Sequence, residues 1–263
     1  PPLLVGSIVL GAVLASAPAS AAAPYTPTTS SVSSLAALGT VVPAATAGEA
    51  CTPGTVVFAP EAPPALALLG AEEANRVATG NGVVVAVVDS GIDAANPHLA
   101  GVVIGGVDLV GDGERADGLS DTTGHGTAIA GQIAAQPVAG SGVVGLAPDA
   151  RLLSVRVFRS DQQQDKDKGF GPTPQRIADG IHWAADNGAD IINVSMSQAN
   201  DSPDLRAAVE HAAAVGALVV ASGGNRASDP DAKDGARYPA AYEQVLGVSA
   251  AAAPGRAPAA ARH

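Results

Sequence analysis

The sequence predicts an α/β fold in which a parallel sheet is covered by helices on both faces. Three observations carry this expectation. Short apolar runs alternate with amphipathic segments of about 10–15 residues through the middle of the chain. The run 83–88 is continuous and β-branched, as suits a strand buried on both faces. Two amphipathic segments open on a hydroxyl residue followed by proline, Thr173-Pro174 and Ser202-Pro203, a local signal for a helix start.

The elements follow in order. The first strand is 83–88. The second, 151–158, sets Leu153, Val155 and Val157 on one face, with Leu152 and Arg156 on the other. A helix from Pro174 carries Ile177, Ile181 and Ala184 as its apolar stripe and stops at Asn187-Gly188. The runs 191–194, 218–220 and 245–248 are short strands, and the last reads as buried. Between the first two, a helix from Pro203 buries Leu205, Val209 and Ala212 and stops at Gly216. Trp183 is expected in the core. The run 161–168 reads as a solvated loop, with a calcium site as its outside alternative. Functional groups in such sheets collect at the carboxyl ends of strands.

Composition excludes several classes. The 263 residues suit one large domain or two small ones. A hydrophobic fraction of 47% argues against wholesale disorder. Acidic residues outnumber basic ones 25 to 14, a net charge of −11, which is unsuited to neutralising phosphates; no nucleic-acid partner is expected. The single cysteine, Cys51, supports neither an internal disulfide framework nor a CxxC zinc site. Asp108, Asp112, Glu114 and Asp117 lack the spacing of an EF-hand loop, so no metal is assigned, and no cofactor is called for. His182 and His211 fall on helices away from the strand ends, as surface or packing residues.

The termini differ from the middle. The apolar run 3–15 is followed by small-x-small sites, so 1–23 reads as a signal peptide, with a short buried helix as the alternative. That reading places the protein outside the cell or at its envelope. Residues 24–64 form an extension rich in Pro, Ala and Thr, 65–249 the folded domain, and 250–263 a low-complexity tail, either natural or from a frameshift.

Three pieces sit at strand ends. Asp89 leaves the first strand in Val88-Asp89-Ser90-Gly91-Ile92. His125 opens a helix of small residues in Gly124-His125-Gly126-Thr127-Ala128-Ile129-Ala130-Gly131. Asn225 ends Ser222-Gly223-Gly224-Asn225 after another strand. An acid can orient an imidazole, and an imidazole at a helix N-terminus stays neutral and basic, with a pKa expected near about 6.5. A side-chain amide can donate to a developing oxyanion. A nucleotide-binding reading would need a glycine-rich phosphate loop after the first strand, and Ser90-Gly91-Ile92-Asp93 does not supply one.

In this order the three pieces resemble the subtilisin-like serine proteases, the subtilases. Gly145-Leu146-Ala147-Pro148-Asp149-Ala150 and Asn193-Val194-Ser195-Met196-Ser197 add to the resemblance, which covers about 80–249. It implies a subtilisin-like sheet with its C-terminal part missing. It also implies catalytic roles for Asp89, His125 and Asn225, and substrate contacts from Ser195, Met196, Ser197, Ser222 and Gly223. The substrate would be a protein or peptide. The export signal and the Pro-rich extension look most like mycosins, the membrane-anchored subtilases of type VII secretion. That likeness implies a secretion complex as partner and membrane association in a full-length form. The family's G-T-S-x-[AS]-x-P box is absent from the chain, and the nucleophilic serine with it. Two readings follow: a serine endopeptidase whose serine is missing here, or an inactive remnant that binds peptides or a secretion complex.

Overall fold

The computed structural model describes residues 58–224 and 235–249. Among these residues, six strands form one parallel sheet: β1 (Val84–Asp89), β2 (Val103–Asp108), β3 (Arg151–Arg156), β4 (Ile191–Val194), β5 (Leu218–Ser222) and β6 (Val245–Val248). Their order is β2-β3-β1-β4-β5-β6, so β1 lies inside the sheet and its carboxyl end faces the middle of one rim. The helices are α1 (Pro64–Leu68), α2 (Ala71–Asn75), α3 (His125–Ala134), α4 (Gln163–Asp167), α5 (Pro174–Asp186) and α6 (Pro203–Ala214), with one 3-10 turn at Pro97–Leu99. The α/β class and the parallel sheet expected from the sequence are what the structure shows.

Alternation along β1 builds two cores. Ala86 and Val88 face one side, packed with Val155 of β3 and with Ile177, Ile181, Leu205 and Val209 of α5 and α6. Val85 and Val87 face the other, with Leu152, Leu99 and the small residues Ala130 and Ala134 of α3. Both proline-led helices start where expected. Thr173 accepts the N–H of Arg176 at 3.2 Å, and Ser202 accepts that of Leu205 at 3.4 Å.

Four expectations need correction. The sequence reading omitted β2, because Gly105 and Gly106 weaken a strand pattern. The gap at Gly106 is required: a Cβ there would stand 2.3 Å from the Ser154 carbonyl oxygen. The run 161–168 contains a short helix, α4, rather than loop alone. β6 is not buried; Leu246 and Val248 are 54% and 49% exposed, because β6 has β5 on one side and no second neighbour among the described residues. Trp183 only packs against the edge of the α5–α6 core. Helix α1 begins at Pro64. The signal-like segment 1–23, most of the extension 24–64 with Cys51, the tail 250–263 and Asn225 lie outside the described residues. No helix among the described residues is long and apolar enough to cross a membrane.

Candidate active site

Strand β1 delivers Asp89 to the rim with its side chain fully buried. Its Oδ1 accepts the backbone N–H of Ser90 at 2.7 Å and faces Nδ1 of His125, also at 2.7 Å. A carboxylate accepts this bond, so Nδ1 carries a proton, and in the neutral ring Nε2 keeps its lone pair. The His125 side chain is 51% exposed, so the imidazole is anchored on one edge and open on the other.

His125 is the first residue of α3, preceded by Gly124 at φ 78°. Gly124 has no side chain to cap the helix, and Asp121 does that work. Asp121 Oδ1 accepts from Gly124 N at 2.9 Å and from the Ser90 hydroxyl at 2.9 Å. Its Oδ2 accepts from the amide and hydroxyl of Thr127, at 2.9 and 2.6 Å. Thr127 Oγ1 in turn accepts the N–H of Asp93 at 2.9 Å, and Ser90 Oγ accepts that of Gly126 at 3.0 Å. These bonds tie the start of α3 to the turn that follows Asp89. Gly126 completes the contact, since a Cβ there would sit 2.1 Å from the Gly91 carbonyl oxygen. Sequence reasoning missed Asp121, Ser90 and Thr127; the only signal was an acid four residues before a helix-opening histidine.

Electrostatics correct one expectation. The hydrogen bond that His125 donates to Asp89 holds the His125 pKa above its ordinary value; partial burial opposes this, and the charges of Asp89, Asp121 and Asp161 add to it. The carboxylate in contact therefore outweighs burial, and the value lies above the ordinary one of about 6.5 that the sequence led us to expect. Burial works against the charge of Asp121. The bonds from Thr127, Ser90 and Gly124 outweigh that burial and keep its pKa low.

Beside His125 lies a cleft of about 490 Å³, lined in part by Ser195, Met196, Ser197, Ser222 and Gly224. Four of the five residues expected to contact substrate therefore line one cavity with the histidine. Gly223 does not. Its N–H donates to the Val248 carbonyl at 2.8 Å, and Gly224 takes the place expected for it. Phe158, Asp161, Thr173 and Arg237 also line the cleft and were not foreseen.

Behind Asp89, β3 pairs Arg156 in register with it. Arg156 is fully buried and grips Asp112 through two bonds of 2.7 Å, with Asp108 at 3.1 Å. This pairing holds the Asp112 pKa below its ordinary value, against the cost of burial. The two carboxylates thus serve an arginine. His182 and His211 lie on α5 and α6, their rings 4.8 Å apart, with Nε2 of His211 2.7 Å from Asp186.

The model of the subtilase family matches residues 80–261. The chain belongs to the subtilase family. Among its subtilase relatives, the major intracellular serine protease of Bacillus subtilis (strain 168) is 38% identical over 170 residues, 64% of this chain and 51% of that protein. Thermitase of Thermoactinomyces vulgaris is 35% identical over 179 residues, 68% of this chain and 58% of that one. The MycP3 protease from the type VII (ESX-3) secretion system superposes with a TM-score of 0.59 at 29% identity, covering 75% of this chain and 59% of that one. The mycosin likeness read from the sequence thus recurs in the fold. This subtilase chain spans about half the length of the curated relatives it matches.

Proposed function

We propose that the chain carries the aspartate–histidine part of a serine endopeptidase that hydrolyses peptide bonds by an Asp-His-Ser triad, the serine not being among its 263 residues. The observation that supports this most is the 2.7 Å contact between buried Asp89 and half-exposed His125 at the edge of a cleft. Asp89 holds the proton on Nδ1, and Nε2 is left to take a proton from a serine hydroxyl as its oxygen bonds to the peptide carbonyl carbon. The carbonyl electron pair moves to its oxygen. Asn225 follows cleft-lining Gly224 and is the donor assigned to that oxyanion. His125 then returns the proton to the leaving amine, and water releases the acyl group by the same route.

The reading includes export. The apolar run 3–15 and the small-x-small sites after it support a cleaved signal peptide and a place outside the cell or at the envelope. The likeness to MycP3 supports a type VII secretion complex as partner, with membrane association in a full-length form.

The test starts with the gene read through and beyond codon 263 for G-T-S-x-A-x-P. With that box joined in frame, the protein should cleave a fluorogenic peptide. Asp89→Asn should lower kcat by about 10⁴-fold, as loss of the triad aspartate does elsewhere. A loss under about tenfold removes Asp89 from the chemistry. A confirmed stop with no serine box in any frame leaves the second reading, a peptide-binding remnant, which the absent box favours.

A further inference from the structure

We infer that the cleft is electrically polar along its length and selects extended peptides bearing an acidic side chain at one end and a basic side chain about four residues away at the other. The inference rests on the cleft being a peptide seat, as proposed above. Among the described residues that line it, only Asp161 and Arg237 carry a full charge besides the titratable His125; the others are hydroxyl, amide, apolar or glycine residues.

The sheet sets those two charges apart. Asp161 lies in the segment leaving β3, on the α5 side of the cleft. It lines the same cavity as His125. Arg237 lies on the opposite side. Its Cγ would stand 2.9 Å from a Cβ on Gly224, just past β5. Its neighbour Tyr238 exchanges two backbone hydrogen bonds of 2.9 Å with Gln198, in the segment leaving β4. Between β3 and β5 stand β1 and β4, so the two flanks are three strand spacings apart. At about 4.8 Å per spacing this is about 14 Å, and an extended peptide rising about 3.3 Å per residue covers it in about four residues. A peptide crossing the rim therefore meets a carboxylate at one end and a guanidinium at the other.

The test uses the full 263-residue chain and binding alone. Three short labelled peptides, otherwise Ala and Leu, carry Glu and Lys four positions apart, the same pair in reverse order, or Gln at both positions. Fluorescence anisotropy at low ionic strength should show one order binding about five-fold tighter than the other, the sum of two weak solvent-facing pairs. High salt should close the gap. The double variant Asp161→Lys with Arg237→Glu should invert the order preference, and Arg237→Gln alone should remove only the part that depends on Glu. Circular dichroism checks that each variant is folded. Orders that bind within two-fold of each other, or a preference unchanged in the double variant, overturn the inference, as does binding of none of the three peptides. Hydrolysis enters no readout, so the endopeptidase reading stands or falls separately on Asp89→Asn.

Discussion

Helices α5 and α6 begin in one way and α3 in another. Thr173 and Ser202 each cap their own helix three residues on, with proline at the first helical position. The start of α3 has a bare glycine where a cap would be, and its amides are satisfied by Asp121 and by Ser90 beside Asp89, whose hydroxyl Asp121 also binds. The first two helices supply packing and need only begin somewhere along the sheet. The third carries an imidazole that must meet a carboxylate on another element, so its start is cross-linked to that element. Local capping fixes a helix along the chain; the α3 network fixes it in space.

Breaking the α3 start should show the difference most strongly at Gly126. Gly126→Ala forces a Cβ to 2.1 Å from a backbone carbonyl and should cost more than about 4 kcal/mol or abolish the cooperative melt. Gly131→Ala in the same helix meets nothing within 4 Å and should be neutral or stabilising by up to about 1 kcal/mol. Equal melting temperatures for the two variants would remove the close approach from the account.

Asp121→Ala comes next. It strands the donors of Ser90, Gly124 and Thr127 and should cost about 2–4 kcal/mol in urea unfolding.

The third effect is on titration. By NMR, His125 should titrate above its ordinary value of about 6.5, and Asp121→Asn should move it down. The sign follows from the raised value. The stability that His125 gains from Asp89 is fully present below its unfolded pKa and is lost as pH rises through the folded one. Hydrolysis in a protein holding the serine needs the neutral ring, so its rate should fall as pH drops through that same raised value. A rate flat down to about pH 5 would contradict the role of His125 as base.

The smallest effects belong to the locally capped helices. Thr173→Ala and Ser202→Ala should each cost about 1 kcal/mol and leave the His125 titration where it was. A shift of that titration in Ser202→Ala would show that the two kinds of start are coupled.

What the sequence showed divides along the same line. Five of the six strands among the described residues and both proline-led helices were legible, because their signals lie within a few adjacent residues. β2 was not, since Gly105 and Gly106 erase the strand pattern for a reason visible only across the sheet, at Ser154. The exposure of β6 was misread because an apolar run carries no record of how many neighbours it has. At the site, Asp89 and His125 were legible from their motifs. The arginine behind them was not: alternation gave Arg156 a face of the strand, but its burial depends on Asp112, 44 residues away. Asp121 was hidden for the same reason, because its partners are reached through space.

The strand order also carries a cost in time. β1 meets β3 and β4 on its two edges, and the bond from the Val84 amide to Asp190 spans 106 residues. A ribosome adds about 5–20 residues per second, so a nascent chain waits roughly 5–20 s between making β1 and making its second neighbour. For that interval the valines of β1 have one hydrogen-bonding edge with no native partner yet synthesised. A protein wound outward from its middle strand is most vulnerable to aggregation before the cleft beside His125 has a second wall.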